Sequence, residues 1–234
     1  MTKPFSERLK MQIIDYGIYS GSKNMKIDSE LLEKAISAKT TEPVFRLYGW
    51  SPRCVSLGRN QKQEFLLETD IKIESVRRVT GGRALLHDDE ITYCYISPID
   101  IIPNGENIID SYKYISGMLI EFFSTLGINL DYGVNKKVSS KFDYCMLLST
   151  GADVCFNNKK LIGSAQFRKN GYILQHGSIL YGYDKELLEK LFHETVHDIT
   201  CIKEIMPTLT KEEIITNLFC FMKNRVPSIN YDSK

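Results

Sequence analysis

The chain has 234 residues, with 30 basic against 29 acidic side chains and 43% hydrophobic content, a length that buries one sizeable core and a composition ordinary for a globular chain. Nearly balanced charge excludes the broad basic field of a non-specific nucleic-acid binder. The six cysteines, at 54, 94, 145, 155, 201 and 220, make no CxxC pair and have no close histidine, which argues against zinc and fits buried thiols in a reducing cytoplasm better than a disulfide framework. No secretory apolar segment opens the chain and no run of about eighteen apolar residues occurs, so a soluble, cytoplasmic protein without membrane or nucleic-acid partners is expected.

In chain order, Met11 to Asp15 reads as a first strand, and Ser22 to Lys39 carries Met25, Leu31, Leu32, Ala35 and Ile36 at helical spacing. Pro43 to Tyr48 alternates as a half-buried strand, and Trp50-Ser-Pro leads into a strand from Cys54 to Gly58. A short acidic helix-like piece precedes a strand at Ile73 to Val76, then the turn Arg77-Arg78-Val79-Thr80-Gly81-Gly82-Arg83, then a β run from Ala84 to His87. Asp88-Asp-Glu90 reads as a polar turn before the β-branched and aromatic run Ile91 to Ile96. Ile108 to Leu126 is the most periodic helix, closed by Gly127. Ile128 to Leu130 follows as a strand, and Asn135 to Phe142 as a polar loop that enters Cys145. Asp153-Val-Cys-Phe and the run Lys159-Lys-Leu-Ile-Gly flank Asn157-Asn158 as a hairpin, because asparagine tolerates positive φ. Near the end, Thr210 and Glu213 form a capping box ahead of the stripe Ile214, Ile215, Leu218, Phe219 and Met222.

Two stretches carry chemistry. The turn from Arg77 to Arg83 combines glycine freedom with three guanidinium groups, which suits a phosphate, a carboxylate or a carrier arm, although a solvated β-turn has the same text. From Cys145 to Ser178 the chain presents a thiol, then Lys160 ahead of the small residues Gly163-Ser164-Ala165, then His176. A thiol, an ammonium and a histidine suit acyl chemistry on a thioester. His87 and His176 each follow an apolar run and equally fit hydrogen-bonded core histidines. His193 and His197 have the i,i+4 spacing of a metal pair on a helical turn, with no third ligand evident.

Arg77 to Tyr93 (RRVTGGRALLHDDEITY), Trp50 to Gln61 (WSPRCVSLGRNQ), Asn24 to Asp28 (NMKID) and Lys160 to Ile179 (KLIGSAQFRKNGYILQHGSI) together resemble the biotin/lipoate protein ligase superfamily, over about residues 11–225. The resemblance implies an α+β fold with a mixed, largely antiparallel central sheet flanked by helices. It also implies a single catalytic domain over residues 1–234, without a separate accessory domain. Its ligases carry a third glycine where this chain has Arg83, and Glu90-Ile-Thr-Tyr follows here as in the cysteine-dependent octanoyltransferases first recognised in Gram-positive bacteria. In those transferases the nucleophilic cysteine stands fifteen residues before the motif lysine, as Cys145 stands before Lys160, although this chain reads CMLLST where the family reads CFDAPS.

What the resemblance implies for the site follows residue by residue. Cys145 is the nucleophile toward octanoyl-acyl carrier protein, Lys160 lies beside the thioester carbonyl, and a lysine of a lipoyl domain or glycine-cleavage H protein accepts the acyl group. Val79 and Leu85, with Leu86 and Ile162, line an acyl slot whose burial contributes about 0.8 kcal/mol per methylene. Arg78, Gly81, Gly82 and His87 shape its mouth, and Arg83, Gly163, Ser164 and His176 complete the substrate-binding set. No cofactor and no metal are required. An ATP-dependent lipoate ligase and a non-catalytic octanoate- or lipoate-binding protein are the alternatives.

Overall fold

The computed structural model describes residues 10–62, 73–133 and 153–225. Cys145, the polar loop before it and the acidic piece before Ile73 lie outside the described residues.

Each helix begins and ends on a local signal. α1 (Gly21–Ala38) opens where the Ser20 side chain accepts from the Lys23 amide, and closes where Lys39 turns left-handed at φ 48. α2 (Ile108–Thr125) opens on Asn107, whose side chain accepts from the amides of Ile109 and Asp110. It ends as Gly127 takes φ 78 and the amides of Gly127 and Ile128 donate to the carbonyls of Ser124 and Phe123. That cap overturns the expected strand at Ile128 to Leu130. Ile128 completes the helix terminus and both residues are buried in the core, so strand pairing begins only at Asp131. α3 (Lys185–Phe192) and the one-turn α4 (Ile202–Ile205) precede α5 (Lys211–Asn224), which carries the Thr210–Glu213 capping box read from the sequence.

The strands are β1 (Gln12–Tyr19), β2 (Val44–Trp50), β3 (Cys54–Leu57), β4 (Glu74–Arg77) and β5 (Leu85–His87), then β6 (Glu90–Pro98), β7 (Asp131–Tyr132), β8 (Val154–Phe156), β9 (Lys159–Lys169) and β10 (Tyr172–Leu180). A seven-stranded sheet runs β1-β2-β6-β10-β9-β8-β7 and a three-stranded sheet runs β4-β3-β5. Among the described strands only β1 with β2, and β3 with β4, pair in parallel; the mixed, largely antiparallel expectation holds. Asn157 and Asn158 both take positive φ, at 48 and 63, as the hairpin between β8 and β9 requires.

The main core gathers Phe45, Leu47, Tyr93, Phe122 and Phe123 with Ile214 and Leu218, so it holds the stripe faces of α2 and α5. A second cluster holds Met25, Leu32, Tyr48, Trp50 and Leu174 under α1. Among the described residues no helix is long and apolar enough to cross a membrane. Two sequence expectations need correction. Glu90 opens β6 with 2% exposure instead of lying in a solvated turn. His193 caps α3 in the left-handed conformation, so it shares no helical turn with His197, and no group of three potential metal ligands occurs among the described residues.

Candidate active site

A narrow, mostly apolar pocket opens between α1, the small sheet and the middle of β9 and β10. Its floor is Gly163 and Ala165 facing Ser178 and His176, which are directly paired across the two strands and therefore project to the same side. Small residues on β9 leave the space that a larger pair would fill. On the opposite side of the same strands, a Cβ at Gly177 would stand 2.6 Å from the Gly163 carbonyl oxygen and 2.7 Å from the Tyr93 ring. Met25, Tyr48, Trp50 and Leu85 supply the apolar walls.

Lys160 does not itself line the pocket, but an irregular register brings it to the same face of β9 as Gly163. Val154 pairs with Ile162 but its neighbour Cys155 pairs with Lys160, with a shift between them. Adjacent residues on β8 point to opposite faces, so Ile162 faces the main core while Lys160 shares the face of Gly163 and Ser178. Lys160 is 2% exposed and its ammonium lies 3.1 Å from Asp153 Oδ1. Lys159, at the turn, is exposed.

Two buried polar clusters frame the pocket. At the α1 end, Asp28 accepts from Arg46 Nη1 at 2.6 Å and from the Tyr48 hydroxyl at 2.8 Å. Arg46 Nη2 donates to Asn24 Oδ1 at 2.7 Å. His176 lies between Asp28, 3.2 Å from Nδ1, and the Thr80 hydroxyl, 2.8 Å from Nε2. At the other end, His87 stacks on Trp50 at 3.8 Å between ring centroids and bonds Glu90 through Nδ1 and Ser56 through Nε2, each at 2.8 Å.

Of the predicted residues, Arg78, Leu85, His87, Gly163, Ser164 and His176 line this pocket together. Leu86 and Ile162 belong to the main core, and Val79 is half-buried; none of the three lines this pocket. The guanidinium groups are used differently from the sequence expectation. Arg78 donates to Ser56 and to the carbonyls of Gly81 and Arg83, and Arg77 to the carbonyls of Gly58 and Gln61. Arg78 thus folds the glycine turn from within, while Arg77, itself exposed, ties the end of β4 to the loop from Gly58 to Gln61. Of its glycines only Gly82 needs its freedom, at φ 95. A Cβ on Gly58 would come within 1.9 Å of the Gly82 carbonyl oxygen, whereas one on Gly81 meets nothing within 4 Å.

Asn24, Asp28, Arg46, Ser56, Thr80 and Glu90 are buried pocket neighbours that the sequence reading did not single out for the site. The i,i+4 spacing of Asn24 and Asp28 on one helix face was their only local signal. Four other thiols are buried. Burial pushes the Cys54 thiol up to about 12 with help from Glu74, and also raises Cys94 and Cys201, which leaves these three protonated and weakly nucleophilic at neutral pH.

The titration of this cluster sets a pH dependence. Burial holds His176 below its ordinary 6.5, only partly offset by Asp28. Burial would raise the Glu90 carboxyl, but the charge and hydrogen bond of His87, with the hydroxyls of Thr92 and Ser178, hold it below 4.5. In both cases the unfolded chain binds the proton more readily, so stability is complete at higher pH and falls on acidification. Chemical denaturation should show stability decreasing as pH drops through the ordinary histidine range, then again through the carboxylate range. His176→Gln should flatten the first decline; an unchanged profile would remove His176 from it.

The Lipoyl protein ligase A/B catalytic domain family matches residues 20–223. Similar proteins include octanoyltransferase LipM of Clostridioides difficile (strain 630), 40% identical over 187 residues, covering 77% of this chain and 69% of the relative. Octanoyltransferase LipM of Bacillus subtilis (strain 168) is 35% identical over 195 residues, with the same two coverages. That of Macrococcus caseolyticus (strain JCSC5402) is 39% identical over 184 residues, covering 72% of this chain and 65% of the relative. The fold is similar to that of lipoate-protein ligase A bound with ATP, at TM-score 0.66 and 18% identity over 91% of this chain and 83% of the other. It is also similar to a bi-partite lipoate protein ligase from Thermoplasma acidophilum, at TM-score 0.63 and 16% identity over 91% and 82%. With its match running from the first helix to the last, the chain belongs to the lipoyl protein ligase A/B catalytic domain family.

Proposed function

We propose that this chain is an octanoyltransferase of lipoate biosynthesis, moving octanoate from acyl carrier protein through a thioester on Cys145 to a lysine of a lipoyl domain or of the glycine-cleavage H protein. The observation that carries the reading is the register irregularity that turns Lys160 onto the face of the small-residue pocket. A buried ammonium there stabilises a thiolate and the oxyanion that develops on the thioester carbonyl. The apolar walls suit an acyl chain, and Cys145 stands fifteen residues ahead of Lys160 in the chain. The 40% identity to a protein named octanoyltransferase supports the same reaction. The cytoplasm supplies both protein partners.

Intact-mass measurement after mixing the protein with octanoyl-acyl carrier protein, without nucleotide, tests this reading. Wild type should gain one octanoyl group, and neither Cys145→Ala nor Cys145→Ser should turn over, since a hydroxyl lacks the low pKa of the attack. Near-wild-type transfer in either variant would remove Cys145 from the mechanism. A further expectation concerns Arg83, which replaces a glycine that would let the backbone approach an adenylate closely. Transfer to H protein should proceed in chelator without ATP, and lipoate incorporation with ATP and magnesium should stay silent. The reverse result would identify a ligase.

A further inference from the structure

Hydrogen-bond accounting around Glu90 determines where each proton of the His87 cluster lies. Trp50 Nε1 donates to Thr92 Oγ1 at 2.7 Å, so the Thr92 proton goes to its other partner, Glu90 Oε1. Ser178 donates to that same oxygen at 2.8 Å. The Glu90 carboxyl, held below its ordinary value, is therefore an acceptor only, and the His87 Nδ1 facing it carries a hydrogen. In the neutral imidazole Nε2 is then a bare acceptor. Its partner at 2.8 Å is Ser56 Oγ, which already receives Arg78 Nη1 at 2.9 Å. The single Ser56 proton thus points at His87. A hydroxyl hydrogen-bonded to an imidazole that is oriented by a carboxylate is an arrangement that can relay a proton.

The cluster also has a definite place along the pocket. Ser178 pairs with Gly163 and His176 with Ala165, and β9 runs back from Gly163 to Lys160. His87, bonded to Glu90 beside Ser178, therefore stands at the end nearer Lys160, and His176 at the far end. Ser56, Arg78 and His87 all line the pocket.

We propose that Ser56, His87 and Glu90 form the proton acceptor of the amine-transfer step, an inference that rests on the thioester reading above. As the neutral acceptor amine attacks the acyl carbonyl, the new C–N bond forms and the C–S bond breaks, leaving the Cys145 sulfur as a thiolate. The amine proton passes to Ser56 Oγ while the Ser56 proton passes to His87 Nε2, and Glu90 stabilises the imidazolium. That proton then leaves to solvent. Among the described residues, Arg78 faces the ring besides Glu90, through Ser56.

The test separates the two half-reactions. Loading from octanoyl-acyl carrier protein is followed by intact mass, and discharge of the preloaded enzyme to a purified lipoyl domain by rapid quench. His87→Gln should slow discharge about a hundredfold or more and slow loading far less. Ser56→Ala keeps the ring and carboxylate together and should show the same split, so it serves if His87→Gln does not fold. Equal losses in loading and discharge, or unimpaired discharge, in both variants would overturn the proposal. A wild type that never loads would overturn the thioester reading first, before any variant is compared.

Discussion

Replacing Lys160 by alanine should lower octanoyl transfer by about a hundred- to a thousandfold, the loss seen when one preorganised donor to a developing oxyanion is removed. The size of the effect follows from burial. An ammonium at 2% exposure acts through a medium in which charge interactions are far stronger than in water, and its partner Asp153 lies on the same buried face. Lys159→Ala is the matched control, one residue away at the exposed hairpin turn, and should leave transfer nearly unchanged. Because the alanine also strips Asp153 of a buried partner, stability has to be followed alongside rate. A reading on folded protein, by single-turnover loading and circular dichroism, separates the two. Equal losses at both lysines would show that transfer does not depend on a charge on the pocket face.

The largest stability effect is expected at the other end of the pocket. Asp28 is 1% exposed and Arg46 2% exposed, joined at 2.6 Å. Asp28→Ala should destabilise by about 3–5 kcal/mol, because it leaves a buried guanidinium without its carboxylate. In a chain of this size that corresponds to a melting temperature lower by about 10 °C. The loss also frees the Tyr48 hydroxyl and His176 Nδ1 from their shared acceptor. Asp28→Leu combined with Arg46→Met should recover most of the stability, since replacing both members by apolar groups removes the stranded charge. A single-mutant loss below about 1 kcal/mol would place the pair in the range of solvated surface bridges. The double variant would still alter the pocket end, so its transfer rate reports separately on how much the acyl chain needs a fixed wall there.

What was legible in the sequence was local. The Thr210–Glu213 box, the Gly127 helix stop and the Asn157-Asn158 turn each depend on backbone groups within a few residues, and hydrophobic period located α1, α2 and α5 because those helices each bury one face. The family text located six pocket residues, and the expected thiol at Cys145 lies outside the described residues. Tertiary structure decided the rest, for reasons that no short window contains. Asp28 meets His176 across 148 positions and Arg46 across 18, so a buried charged network forms from residues far apart in the chain. Arg78, which looks like an anion ligand in isolation, donates to the carbonyls of Gly81 and Arg83 in its own turn, and Arg77 to those of Gly58 and Gln61. Lys160 shares the strand face of Gly163 through one irregular step between β8 and β9, a register detail that hydrophobic alternation averages away. Glu90 left its expected turn for the same reason. Three neighbours from β5, β6 and β10 offer it hydrogen bonds, and only the assembled sheets bring those donors to one carboxylate.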